Sequence, residues 1–178
     1  MAVPAQKFRE IVFQMLYSYD LGQSTDESMV ELLSKELKVT NKTVRDAQSR
    51  VHEIREHLKK IDPMIAKTSH AYEFERIQTV ERNILRLAVF EIFFDNGTVP
   101  PKVALAEAMR LARKFSTYES TSFINAILDA IYKDSLGEKV DAKQLIQTSE
   151  DLSKSEQIAR DAAQQEKKPP ESGEEEDE

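Results

Sequence analysis

Val99–Tyr132, VPPKVALAEAMRLARKFSTYESTSFINAILDAIY, reads as two helices joined by a short polar turn. In the first, Val103, Ala106, Met109, Leu111 and Ala112 recur close to helical spacing. Pro100 and Pro101 mark its entry, because a proline in the first turn loses no intrahelical hydrogen bond. The second opens near Glu119 or Ser120 and carries Phe123, Ile124, Ile127, Leu128 and Ile131 on one side. Between them, Lys114-Phe115-Ser116-Thr117-Tyr118-Glu119-Ser120 offers hydroxyls suited to capping the second helix. A helix start presents free N–H groups and the positive end of a dipole, and phosphate is an anion it accepts. A cationic helix end, a polar turn, a helix N-terminus and a nearby phenylalanine make a candidate place for a nucleic-acid strand.

Working outward, the same periodicity continues. Ile77 to about Phe94 holds Val80, Ile84, Leu85, Leu87, Ala88, Val89, Ile92 and Phe93, which cover more than one face, so this helix reads as central and buried. Asn96-Gly97 ends it. Val3 to about Leu21 is a first helix, with Gly22 placed as its C-terminal cap. Ser24-Thr25-Asp26 would cap a second helix through Met29, Leu32, Leu33 and Leu37. Thr40-Asn41 opens a third, whose stripe of Val44, Ala47, Val51, Ile54, Leu58 and Ile61 is suited to packing between helices. Asp62-Pro63 is expected to break it and to start a short fourth helix through Met64 and Ile65. The expectation is an all-α fold of about seven helices over residues 1–139. Only 4 glycines and 6 prolines interrupt the chain, which agrees with long helices.

After Leu136-Gly137 the composition turns polar and the end reads EKKPPESGEEEDE. Part of 141–166 has the residues for a helix in Leu145, Ile146, Leu152 and Ile158, but their spacing is irregular, so residues 140–178 are expected to be a mostly disordered acidic tail. The net charge of −7 lies wholly there. Residues 1–139 carry 20 basic and 20 acidic side chains, and 140–178 carry 5 against 12. An acidic isoelectric point therefore does not argue against an RNA-binding core. No run of about 18 apolar residues marks a membrane span. The opening MAVPAQKFRE lacks a signal-peptide layout, and a cytoplasmic protein is expected.

No active site is legible. There is no Gly-rich phosphate loop, no GxSxG and no cysteine. His52 and His57 stand five apart on a charged helix and do not share a face, so they read as solvated rather than as a zinc pair, and no metal or cofactor is expected. Glu53, Glu56 and Asp62 read as a solvated, salt-linked face. Glu81 stands at the start of the most buried helix, where a carboxylate serves either dipole compensation or a site. Tyr17 and Tyr19 suit packing of the first helix. Phe123 shares a stripe with Ile127 and so reads as core, while its place in a first turn also suits stacking on an unpaired base. Lys7, Arg9, Arg113 and Lys114 matter only if the fold gathers them.

Three ordered blocks resemble the bacterial transcription antitermination factor family NusB. They are Arg9-Glu10 with Gln14–Leu21, then Val80–Glu91, then Val99–Ala108 with Ala112–Phe115 and Ser120–Asp129. The resemblance implies seven helices in two small bundles and no enzymatic activity. It further implies binding to the boxA element of ribosomal RNA transcripts together with NusE, a small-subunit ribosomal protein. That pair joins NusA, NusG and RNA polymerase. Residue by residue, the family's basic run falls on Gln6, Lys7 and Arg9, its first-helix tyrosine on Tyr17, and its acidic and aromatic positions on Glu119 and Phe123. With the turn residues Lys114, Ser116 and Ser120 these form the expected RNA site. Glu81 is expected to order Arg86 or to meet the ribosomal-protein partner, since a carboxylate repels phosphate. Two cations in Ala5–Arg9 are a thin basic run, which predicts weak RNA binding without the partner, and the acidic tail is expected to screen the basic surface. Two other readings compete. One is a protein–protein module without RNA contact. The other is the helical part of a ribosomal RNA cytosine methyltransferase, which would need a catalytic domain and a cysteine nucleophile.

Overall fold

Thr79–Phe93 forms a helix that touches four others, as its all-round apolar sequence requires. The computed structural model describes residues 3–23, 27–69 and 72–166. Within them the order is α1 (Ala5–Asp20), α2 (Glu27–Leu37), α3 (Asn41–Thr68), a 3-10 turn (Phe74–Arg76), α4 (Thr79–Phe93), α5 (Pro101–Phe115), α6 (Tyr118–Ser135) and α7 (Ala142–Glu166). No strand occurs among the described residues. α4 packs against α1 and α3 on one side and α5 and α6 on the other. Ile84, Leu85, Ala88 and Val89 lie in one apolar cluster that runs through both groups.

The helix ends follow local chemistry. Gly22, at φ +79°, closes α1: its N–H donates to Tyr19 O, and Gln23 N–H donates to Ser18 O. Thr40 Oγ1 accepts from Thr43 N–H and caps α3, and Thr117 Oγ1 accepts from Ser120 N–H and caps α6. Pro101 opens α5. The expected Ser24-Thr25-Asp26 cap lies outside the described residues.

Four expectations are corrected. Pro63 does not break α3. It is exposed, so the Lys59 carbonyl that loses its donor faces water, while Ile61 and Ile65 stay fully buried and hold the helix in one piece. The seventh helix is instead α7, inside the stretch expected to be mostly disordered. Leu145, Ser149, Leu152 and Glu156, at spacings of four, three and four, form its inward stripe against α6. Two of those four positions are polar, which hid the period. On α5 the buried face is Ala104, Ala108, Leu111 and Ala112, while Val103 and Ala106 are exposed. The alanines at i, i+4 and i+8 let α5 lie close to α4. His57 is packed rather than solvated, its ring 5.0 Å from Phe94 and 5.5 Å from Phe90.

Candidate nucleic-acid interface

α1 and α5 are bridged by long charged side chains that keep them in step. Gln6 Nε2 donates to Glu107 at 3.2 Å, Arg110 reaches Glu10 at 2.5 Å and Glu107 at 3.0 Å, and Lys114 reaches Glu10 at 2.8 Å. Further along, the Phe13 and Phe115 rings meet at 5.0 Å. Burial would raise the Glu10 carboxyl, but hydrogen bonds from Lys114 and Arg110 outweigh it and hold the group below its ordinary value. Lys114 is thus already neutralised within the molecule, although half its side chain remains exposed.

Arg9 differs from the expected phosphate ligand. It is 8% exposed, and its Nε donates to both Glu91 oxygens at 2.8 and 3.1 Å. Glu107 lies 3.8 Å from its Nη1. Its place is between α1, α4 and α5, where the two glutamates hold it away from solvent. Lys7 and Arg113, by contrast, pair with no carboxylate among the described residues, and Arg113 is exposed.

The turn between α5 and α6 lies over the start of α4. Ser116 Oγ donates to Glu81 Oε1. Glu81 is 6% exposed, and its Oε2 is buried without a hydrogen-bond partner among the described residues. It does not order Arg86. Arg86 instead donates to both Asp62 oxygens at 2.8 Å and approaches Asp20 at 3.2 Å, tying α4 to α3 and α1. Asp62 is therefore part of a partly buried tie rather than of a solvated face, and Arg86 is 8% exposed. Burial would raise the Asp20 carboxyl, but the Arg82 hydrogen bond and the charges of Arg86 and Arg82 hold it below its ordinary value.

Tyr17 is half-buried and lines an apolar groove of about 380 Å³ with Phe13, Ser18, Leu33, Val80 and Phe115. Tyr19 lies under the Arg55 guanidinium, 3.5 Å from its ring centre. At the start of α6, Glu119 is partly exposed and Tyr118 is 82% exposed. Ser120 is buried, with Thr117 Oγ1 donating to its Oγ at 3.1 Å. Phe123 is fully buried, its ring 5.4 Å from that of Tyr72, so it offers no face to a base in this conformation. The core alternative for Phe123 is the one that holds. The turn thus gathers Lys114, Ser116 and Glu81, with Tyr17 close by across Phe115. Arg9, Arg86, Ser120 and Phe123 are held inside. Tyr72 escaped the sequence reading because nothing local marks its contact with Phe123.

A family model described as the NusB family matches residues 6–133. The chain belongs to the NusB family. It is 39% identical over 132 residues to the transcription antitermination protein NusB of Chlamydia pneumoniae, covering 74% of this chain and 82% of that protein. It is 40% identical over 126 residues to NusB of Nitratiruptor sp., covering 71% and 89%. Among solved structures, T. maritima NusB matches with a TM-score of 0.62 at 29% identity, covering 81% of this chain and 98% of that one. A complex of antitermination factors NusB and NusE with dsRNA matches with a TM-score of 0.61 at 28% identity, covering 72% and 96%. The NusB-family match ends before α7 begins.

Proposed function

We propose that this protein is an RNA-binding adaptor in transcription antitermination. Together with NusE it binds boxA RNA of ribosomal RNA transcripts, and the pair joins NusA, NusG and RNA polymerase. One observation carries this reading: the NusB-family match spans α1 to α6, and a solved relative of the same fold is held with NusE and RNA. Residues 1–139 form the binding unit. It works in the cytoplasm and carries out no catalytic step of its own.

The roles follow from which groups are free. Lys7 and Arg113 meet phosphates directly, and Lys114 does so by exchanging Glu10 for a phosphate. The start of α6, beside Ser116 and Glu119, offers N–H groups. Tyr17 and its groove take an apolar side chain of the protein partner, and Glu81 holds the adjoining turn in place through Ser116. Because Arg9 is held by Glu91 and Lys114 is engaged by Glu10, RNA affinity depends on the partner.

The test is a titration with a boxA-type single strand and a scrambled control, at two salt concentrations, with and without NusE. Binding that prefers boxA and tightens with NusE supports the proposal. A second reading, a protein–protein module without RNA contact, draws on the burial of Arg9 and Phe123. NusE binding with no RNA preference at either salt would favour it.

A further inference from the structure

α7 lies outside the NusB-family match and packs on α6. Ser149 and Leu152 of its stripe are buried, while Ile146 and Ile158 are exposed. Glu156 of the same stripe reaches the segment between α3 and α4. Its Oε2 accepts from the Tyr72 hydroxyl at 2.7 Å and its Oε1 from Gln78 Nε2 at 3.4 Å. Burial and that carboxylate raise the Tyr72 hydroxyl far above its ordinary value, so it remains a donor. Tyr72 in turn is 1% exposed and covers the Phe123 ring. One helical turn away, Tyr118, Glu119 and Ser122 of α6 face Asp151, Lys154 and Ser155 of α7 across a cleft of about 380 Å³.

We infer that α7 is an autoinhibitory strap. Docked, it holds Tyr72 over Phe123 and occupies the approach to the first turns of α6. Released, it opens that face to a single RNA strand. The inference rests on the RNA-binding reading proposed above. Three features suit a strap that lets go. The link to α6 turns at Gly137, φ +71°, so α7 is joined by a short bend rather than a continuous helix. The docking stripe is half polar, so its attraction to α6 is smaller than that of a fully apolar face. Residues 142–166 carry three basic and five acidic side chains, and one of those acids, Asp151, faces the first turns of α6 across the cleft, beside Lys154. This replaces diffuse screening by a tail with a defined contact. The apparent RNA affinity is then the intrinsic one multiplied by the undocked fraction.

The test uses the full chain, which has no native cysteine. Ser122→Cys with Ser155→Cys is joined by a short bis-maleimide, and the two single variants capped with N-ethylmaleimide serve as controls. Leu152→Glu releases α7. Each form is titrated with the boxA-type strand and its scrambled control, with NusE present. Release is expected to tighten boxA binding on the order of tenfold, and linking is expected to weaken it at least tenfold below either capped single variant. The linked protein needs no core substitution, so that arm stands even if Leu152→Glu fails to fold. Equal boxA binding by linked and unlinked protein would overturn the strap and leave the RNA reading standing. No boxA preference in any form would overturn both.

Discussion

Arg9 is surrounded by carboxylates and has almost no contact with water. Removing one partner of a buried ion pair strands the other, so Arg9→Ala is expected to cost about 3–5 kcal/mol in denaturant unfolding at neutral pH. Glu91 gives this loss a pH signature. Burial already raises its carboxyl above 4.5 despite the Arg9 charge, so without Arg9 it protonates more readily. The destabilisation is therefore greatest where Glu91 is charged, and it shrinks as the pH falls toward 4.5. Asp20 runs the other way. Its folded carboxyl is held below 3.8, so its contribution is fully present above 3.8 and is lost as the pH falls through the lower folded value. Asp20→Asn should lower stability by about 1–2 kcal/mol at pH 7, and the gap from wild type should close in acid. Neither role was legible in sequence. Arg9 and Glu91 stand 82 residues apart, and nothing near either marks it as buried. Gly22, Thr40 and Thr117 were legible, because caps are local chemistry.

An element is legible in sequence when its own residues set its period, and α4 and α6 do so. α3 and α7 show where that fails. A proline reads as a break, but the buried neighbours Ile61 and Ile65 outweigh one lost hydrogen bond on the wet side. Pro63→Ala restores that bond and should stabilise the protein by about 1–3 kcal/mol, read as a higher denaturation midpoint with an unchanged slope. In α7 the inward positions alternate Leu145, Ser149, Leu152 and Glu156. A hydrophobicity pattern cannot count Ser149, whose hydroxyl donates to Leu145 O at 2.8 Å, or Glu156, which holds Tyr72. Because α7 packs on α6 rather than through the core of α4, its loss is a local event. Leu152→Ala should speed amide exchange across 142–166 while α4 keeps its protection.

At the scale of the whole molecule, the decisive quantity is how many cations the fold leaves free. The even balance of charge over residues 1–139 hides an arrangement in which Arg9, Arg82, Arg86 and Arg110 are consumed by internal carboxylates. Lys114 stands between the two states, half-exposed yet bound to Glu10. Counterion release makes this measurable, since each phosphate neutralised on a single strand adds about 0.7 to the salt slope of log K. Lys7→Ala or Arg113→Ala should each reduce the slope by about that amount, where the fold gathers them against RNA. Glu10→Gln removes the competing charge without removing a hydrogen-bond acceptor. It should tighten RNA binding and steepen the slope, and Lys114→Ala should cost more in the Glu10→Gln background than in wild type. That difference, read as a double-mutant cycle, separates a lysine that serves RNA from one that only ties α5 to α1. If Lys114→Ala costs the same in both backgrounds, Lys114 is a tie, and the phosphate contacts of this face reduce to Lys7, Arg113 and the start of α6.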